Sequence, residues 1–153
     1  MSKTANPRDL GFDYSTPIQV RMTDIDGQAH VNNGTYYQYF EHARATFLYE
    51  TAGWNFFQDF IVILNSNIDY LKPILIMDKP QIWVKCTKIG NSSFHLSYLI
   101  TGAENAEDTI IYAKATSIQV SVEQKTGKPV AIPEKYRSKI LEALEHEKKS
   151  VDS

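Results

Sequence analysis

The chain has 153 residues, 42% of them hydrophobic, and a net charge of −2, which predicts one globular domain over residues 1–153. No block of basic residues stands out, so we expect no nucleic-acid partner, because neutralising phosphates needs clustered Lys and Arg. A single cysteine, an N-terminus without an apolar signal core, and apolar runs no longer than residues 60–64 favour a cytoplasmic protein with no membrane span.

The first predicted element is a strand over residues 17–23, where apolar and polar side chains alternate with period two. Residues 24–33 are polar and predict a loop. The residues that follow have apolar side chains at helical spacing, which predicts an amphipathic helix of about 17 residues and about 26 Å. We expect the side chain of Asn32 or Asn33 to cap its first turn and Gly53 to end it.

The chain after this helix has mostly strand patterns. Alternating or continuous apolar runs, separated by turn residues, predict strands at residues 60–71, 81–89, 94–100 and 109–122. The last of them has one face of small side chains, which would let a helix approach closely. An amphipathic pattern then predicts a C-terminal helix over residues 133–148. This order of elements predicts an α+β fold with one antiparallel sheet.

The polar loop before the long helix concentrates the chemically capable residues. It carries two acids, an amide and an imidazole at Asp24, Asp26, Gln28 and His30, and two asparagines follow. A carboxylate that attacks or activates water, next to backbone N–H groups at the positive end of a helix, is the arrangement that acyl transfer requires. The loop is therefore the predicted active site.

Four segments in order resemble the hotdog-fold acyl-thioester hydrolases, above all the 4-hydroxybenzoyl-CoA thioesterase branch and the related plant acyl-ACP thioesterases. The first runs Asp24-x-Asp26-x-x-Ala29-His30-Val31-Asn32-Asn33-x-x-Tyr36 and continues as Tyr39-Phe40-Glu41-x-Ala43-Arg44. The others are Ile68-Asp69-Tyr70-Leu71-Lys72-Pro73, Gly90-Asn91-Ser92-Ser93-Phe94 and Thr126-Gly127-Lys128-Pro129-Val130-x-Ile132-Pro133. The resemblance covers about residues 16–137, the expected domain core.

The resemblance implies a hotdog fold, in which an antiparallel sheet of about five strands wraps one long central helix and a C-terminal helix follows. It implies hydrolysis of an acyl-CoA or acyl-ACP thioester to free acid and thiol, with no cofactor beyond the CoA of the substrate. It also implies a homodimer, often within a homotetramer, with the active site at the dimer interface.

The resemblance also assigns roles to individual residues. Asp26 would be the catalytic group, either as general base or as nucleophile, and Gln28 or His30 would orient it or the attacking water. Backbone N–H groups from about Asn32 to Gly34, at the helix start, would bind the oxyanion, and the turn at residues 90–93 would lie along the pantetheine arm. The expected substrate-binding residues are Asn32, Asn33, Gly34, Tyr36, Asn91, Ser92 and Ser93.

Several residues keep alternative interpretations. Many members of the family have glycine where this chain has Ala29, so a positive φ there would be costly and would favour a differently shaped loop. Asp24 is expected to be structural and to pair with Arg21 or Arg44. Glu41 either forms a surface pair with Arg44 or serves as a fallback catalyst, because another hotdog branch places its catalytic Glu on the long helix.

Two other functions remain open at this point, an acyl-CoA hydratase or dehydratase of the same fold and a non-catalytic acyl-CoA-binding protein. The first would convert an enoyl thioester without releasing thiol, and the second would saturate with ligand without chemistry. A metal site is not expected, because the histidines and Cys86 lack metal-ligand spacing.

Overall fold

One antiparallel sheet and two helices account for most of the chain. The computed structural model describes residues 3–103 and 109–152. Within these residues the strands are β1 Lys3–Ala5, β2 Tyr14–Pro17, β3 Phe60–Tyr70, β4 Gln81–Ile89, β5 Ser93–Thr101 and β6 Thr109–Val122, and the helices are α1 Thr35–Ala52 and α2 Glu134–Asp152. The four strand predictions after α1 and both helix predictions are confirmed, with ends that differ by a few residues.

The sheet has six strands among the described residues, one more than the roughly five predicted. Its order is β1-β6-β5-β4-β2, and β3 also pairs with β6. The short β1 pairs with residues 109–111 of β6, whereas β3 pairs with residues 113–122, so β1 and β3 share one edge of the same long strand. The architecture is α+β with a single antiparallel sheet around α1, which is the hotdog arrangement.

Helix α1 forms because its apolar stripe meets the inner face of the sheet. The buried side chains of the helix and of β4 and β5 belong to one hydrophobic core, which includes Phe47, Leu48, Ile82, Phe94 and Leu96. Burying a side chain of this size contributes roughly 1.5–3 kcal/mol. Alternate residues of β4 and β5 point inward, as their period predicted, and the small Ala113 and Ala115 of β6 lie in the same core.

Gly53 ends α1, as the sequence predicted. Its φ is 68°, and its N–H donates to the carbonyl of Tyr49 at 2.8 Å. A side chain rarely adopts this left-handed conformation, so glycine is the residue that the helix end requires.

The predicted strand over residues 17–23 is wrong. Strand β2 ends at Pro17. Its pairing with β4 finishes with the Ile18 N–H, which donates to the carbonyl of Pro80 at 3.0 Å. Pro80 has no N–H to return the bond. Residues 22–24 instead form a single 3-10 turn, because the carboxylate of Asp24 accepts the backbone N–H of Arg21 at 3.0 Å. The segment after Pro17 is therefore a loop, although its apolar and polar residues alternate as in a strand.

The N-terminal segment, for which no strand was predicted, covers the outer face of the sheet. There Phe12 packs with Trp83, Leu99 and Ile111 in a second, smaller hydrophobic cluster. At the other end of the chain, Tyr136 of α2 stacks on Trp54 with ring centroids 4.2 Å apart. In residues 3–103 and 109–152, neither helix is apolar enough over a sufficient length to cross a membrane.

Candidate active site

Asp24 fixes the start of the polar loop. It is 3% exposed, and it accepts hydrogen bonds from the Tyr39 hydroxyl at 2.7 Å, from the Arg21 N–H at 3.0 Å and from Arg21 Nη2 at 3.2 Å. Burial raises the pKa of Asp24, but the bonds from Tyr39 and Arg21 outweigh it and hold this pKa below its ordinary value. The expected structural role is confirmed, and its partner is Arg21 rather than Arg44.

The loop then turns back on itself around Asp26. The Asp26 N–H donates to the carbonyl of His30 at 2.9 Å, and the Ala29 N–H donates to the carbonyl of Asp26 at 3.0 Å. The Gln28 N–H donates to Asp26 Oδ1 at 2.9 Å. Asp26 itself is exposed. The loop backbone therefore orients the carboxylate through Oδ1, while Oδ2 accepts from no donor in the described residues.

Ala29 holds a positive φ of 64° and is the only residue other than glycine to do so in the described part of the chain. The loop thus adopts a left-handed residue at the position where family members often have glycine. An alanine in this conformation costs about 1–2 kcal/mol. The free-energy cost expected for a positive φ at Ala29 is therefore present in this loop.

A cleft of about 620 Å³ lies between this loop, the start of α1 and the end of β3. The structure brings together here half of the ten residues that the sequence placed in the active site. The predicted site residues that line this cleft are Asp26, Gln28, His30, Asn33 and Tyr36. Tyr36 is buried, and this burial raises its pKa to about 12, so its hydroxyl stays protonated at neutral pH.

The backbone N–H groups at the helix start differ in availability. The Asn32 N–H donates to the carbonyl of Asp24, and the Gly34 N–H donates to Asn32 Oδ1, both at 2.8 Å. The Asn33 N–H donates to no acceptor within residues 3–103 and 109–152. The predicted cap by Asn32 or Asn33 is wrong: Gly34 takes the cap position without a side-chain bond, and the Asn32 side chain instead closes a turn with the Gly34 N–H. Of the three expected oxyanion donors, Asn33 is thus the one left available.

Tyr70 is a cleft residue for which the sequence argument assigned no role. Its hydroxyl donates to the carbonyl of Asn33 at 2.9 Å, and its ring meets that of Tyr36 edge-on, with centroids 4.9 Å apart. It therefore ties the end of β3 to the helix start. The motif at residues 68–73 contained the signal, but only the fold shows which residue it contacts.

The turn at residues 90–93 does not lie at the cleft within one chain. On β6, Tyr70 pairs with Ala113, whereas Ser93 pairs with Val120. At 3.3 Å per residue these two positions are about 23 Å apart. Asn91, Ser92 and Ser93 are therefore at the opposite end of the sheet from Asp26.

Glu41 and Arg44 do not form the expected surface pair. The guanidinium of Arg44 donates instead to the Tyr98 hydroxyl at 3.3 Å, and neither residue lines the Asp26 cleft. Among the described residues, no three His, Cys, Asp or Glu side chains are grouped closely enough to hold a metal ion.

Comparisons with known proteins agree with this fold. The family model of the thioesterase-like superfamily matches residues 20–143. The long-chain acyl-CoA thioesterase FadM of Escherichia coli is 28% identical, with 82% of this chain and 95% of FadM covered. A Thermus thermophilus thioesterase, crystallised with coenzyme A and Zn, is 30% identical with a TM-score of 0.74, covering 88% of this chain and 97% of its own. A Pseudomonas aeruginosa protein is 27% identical with a TM-score of 0.80, covering 88% and 94%.

Proposed function

Since the chain belongs to the thioesterase-like superfamily, we propose that it hydrolyses an acyl-CoA or acyl-ACP thioester to a free acid and a thiol. The observation that carries this proposal is the position of Asp26, whose carboxylate lines the 620 Å³ cleft beside the start of α1. The likeness to thioesterases, one of them crystallised with coenzyme A, supports CoA as the carrier of the acyl group.

Asp26 is the proposed reactive carboxylate. The Gln28 N–H binds Oδ1, and Oδ2 accepts from no donor in the described part of the chain. As general base, Oδ2 takes a proton from water while the water oxygen attacks the thioester carbon, and the thiolate then leaves. As nucleophile, Oδ2 attacks that carbon and the thiolate leaves, and water then cleaves the resulting anhydride to the free acid and the Asp26 carboxylate. In a single turnover in ¹⁸O-labelled water, label in Asp26 identifies the second route, because it enters when water attacks the Asp26 carbonyl of the anhydride.

The Asn33 N–H is the proposed oxyanion donor. Asn33 lines the same cleft as Asp26, and its N–H donates to no acceptor in the described residues. It also lies at the positive end of α1, where the helix dipole favours a developing negative charge. His30 and Gln28, which line the same cleft, are proposed to orient the water or the carboxylate.

We propose that the protein works as a homodimer joined along β3. This strand is 11 residues long and, among the described strands, pairs only with β6. Its side chains Val62, Ile63 and Leu64 are 44%, 42% and 65% exposed. A long apolar edge is a template for pairing with another strand, and a second copy of β3 is the partner that it matches.

Such a dimer would complete the site. Antiparallel pairing of two copies of β3 brings the Phe60 end of one strand beside the Tyr70 end of the other. The turn at residues 90–93 adjoins the Phe60 end, because Phe60 and Ser93 both pair near Val122. The turn of the partner subunit would then lie beside the Asp26 cleft, where its Asn91, Ser92 and Ser93 could bind the pantetheine arm. Assembly of two dimers into a tetramer remains part of the proposal.

The decisive experiment is a thiol-release assay over acyl-CoAs of different chain length, with Asp26→Asn as the control. We expect thiol release by the natural protein and a loss of at least ~10²-fold in kcat in the variant. Crotonyl-CoA is included, and its absorbance is followed alongside thiol release.

Two results would contradict the proposal. Consumption of crotonyl-CoA without thiol release would identify a hydratase, and saturable binding without any reaction would identify a binding protein.

A sedimentation run on the same samples tests the dimer. A cytoplasmic location, which rests on the single cysteine of the sequence, is part of the same proposal.

A further inference from the structure

A second cleft follows the Asp26 cleft along the seam between α1 and β3. It has a volume of about 230 Å³ and is bordered by Tyr37 and Ile68, whereas the Asp26 cleft is bordered by Tyr36 and Tyr70. The two clefts therefore lie end to end. We call the second one the side cleft. It exceeds the ~150 Å³ of a cavity that binds benzene, so it has room for part of an acyl group.

The side cleft combines a mainly apolar surface with several polar side chains. Its lining includes the polar side chains Glu41, Arg44, Ser66, Asn67, Thr116 and Ser117. A site for a purely apolar group is expected to be lined mainly by apolar side chains, with few polar ones for orientation. Among these lining residues Arg44 is the one cation and Glu41 the one acid, so Arg44 is the polar group that an anionic acyl end would meet.

A chain of buried hydrogen bonds fixes Arg44 in this wall. Its guanidinium donates to the Tyr98 hydroxyl at 3.3 Å, and this hydroxyl shares a 2.6 Å bond with Ser117 Oγ. Ser117 donates to Gln119 Oε1, and Gln119 Nε2 donates to the carbonyl of Phe94 at 3.0 Å. Arginine can only donate, so the whole chain has one direction. Each buried hydroxyl has a donor and an acceptor, and Arg44 is held as its first member.

The positive charge of Arg44 has no carboxylate partner in the structure. It is half-buried, and no Asp or Glu oxygen of the described residues lies within 4.0 Å of it. The bond to the Tyr98 hydroxyl uses one of the five N–H donors of Arg44. A partly desolvated cation is favoured when an anion pairs with it. Arg44 follows Asn33 by about 16 Å along α1 and lines the side cleft, whereas Asn33 lines the Asp26 cleft.

We propose that the side cleft selects acyl thioesters whose acyl group ends in a carboxylate, with Arg44 as the residue that binds this carboxylate. The proposal rests on the proposed thioester hydrolysis and names the class of its substrate. Glu41 lies on the same wall and opposes this preference, because its charge repels the carboxylate.

The test compares adipyl-CoA with hexanoyl-CoA, which have equal chain length and differ in the terminal carboxylate. We expect a higher kcat/KM for adipyl-CoA in the natural protein. Arg44→Met should lower kcat/KM for adipyl-CoA about tenfold to a hundredfold, mainly through KM, as loss of a charge-assisted hydrogen bond does. Its effect on hexanoyl-CoA should be under about threefold. Arg44→Lys should restore part of the adipyl-CoA activity.

Glu41→Gln provides a variant that should fold normally, because Glu41 is exposed. It should raise kcat/KM for adipyl-CoA by about two- to fivefold relative to that for hexanoyl-CoA. A loss of activity on both substrates would instead identify Glu41 as a catalyst and overturn the proposal. The Tm and sedimentation coefficient of each variant are measured in parallel.

Three further results would also overturn it. These are a natural protein that prefers hexanoyl-CoA, an Arg44→Met variant that loses both activities equally, and an Arg44→Met variant that dissociates to monomers, which would make Arg44 an interface residue. Hydrolysis of hexanoyl-CoA in any of these cases leaves the proposed function standing. Absence of thiol release from every acyl-CoA would remove the proposed function and this inference together.

Discussion

Asp24 and Asp26 are two residues apart, yet their carboxylates have opposite surroundings. Asp24 is 3% exposed and accepts three hydrogen bonds from Tyr39 and Arg21. Asp26 is exposed at a cleft and accepts one, from the Gln28 N–H. The first carboxylate has its acceptor capacity largely used inside the protein, whereas the second has an oxygen available to water or substrate. The two acids therefore differ in role although they are close in sequence. Asp24 is structural, and Asp26 is the proposed reactive group.

The different surroundings of the two carboxylates matter for the proposed chemistry. A carboxylate that attacks or activates water must be held in place without being neutralised by its own protein. Asp24 anchors the loop through Tyr39 of α1, and the backbone of residues 26–30 then positions Asp26. The rigid element and the reactive group are thus next to each other but chemically independent.

The largest expected effect comes from Asp26→Asn. We expect at least ~10²-fold lower kcat because the base or nucleophile is lost, with the free energy of unfolding within about 0.5 kcal/mol of the natural value because the side chain is exposed. Thiol-release kinetics and urea denaturation measure both quantities. Near-normal turnover would show that the comparison of the two carboxylates assigns the chemistry wrongly.

Asp24→Asn should show the reverse pattern. The variant loses the charge that Arg21 and Tyr39 bind, and hydrogen bonds to a buried charged group are worth about 1.5–3 kcal/mol. We expect the free energy of unfolding to fall by about 2 kcal/mol. Activity at a temperature where the variant is folded should fall less than in Asp26→Asn. Unchanged stability in urea denaturation would contradict the structural role.

Tyr70→Phe tests how the helix start is held over the cleft. It removes the 2.9 Å bond to the carbonyl of Asn33, and a neutral hydrogen bond contributes about 0.5–1.5 kcal/mol. Because this bond positions the proposed oxyanion donor, we expect kcat to fall by about three- to tenfold. Tyr49→Phe, on an exposed tyrosine of α1, is the matched control and should leave kcat unchanged. Equal effects in both variants would remove Tyr70 from the site.

The pH dependence of stability gives a smaller, directional test. The pKa of Asp24 is below its ordinary value in the folded protein, so the unfolded chain takes up a proton there first as pH falls. The stabilisation is fully present above the ordinary value of 3.8 and is lost as pH falls through the lower, folded-state pKa. Urea denaturation from pH 6 downward should therefore show a steeper loss for the natural protein than for Asp24→Asn. Parallel curves would show that Asp24 is not bound more tightly when ionised.

Most of the fold was predictable because its signals are local. The helical spacing before Gly53 and the period two of β4 and β5 reflect which side chains face the core, and the structure confirms both. The strand predicted over residues 17–23 failed because its alternation was accidental, and Met22 is 76% exposed. Strand β1 has only three residues, too few to show any period, and its pairing depends on how far β6 extends.

The site was predictable only in part, for a different reason. Asp26, Gln28 and His30 were found because they belong to one short motif in one loop. The role of Tyr70 depends on a contact between residues 37 positions apart, which no local pattern encodes. The turn at residues 90–93 lies at the far end of the sheet from the cleft, so its predicted part in substrate binding depends on a second subunit.

The smallest expected effect concerns the residue that shapes the loop between the two regions. Ala29 has φ 64°, which costs about 1–2 kcal/mol for alanine, whereas glycine adds about 0.4–1 kcal/mol of unfolded-state entropy. Ala29→Gly should therefore stabilise the protein by up to about 1 kcal/mol, or about 2–4 °C in Tm. Gly27→Ala is the matched control, since an added Cβ there meets no atom within 4 Å, and it should also be neutral or stabilising. A destabilised Ala29→Gly would mean that the turn imposes no strain on alanine, and the backbone that orients Asp26 would then be relaxed rather than held under tension.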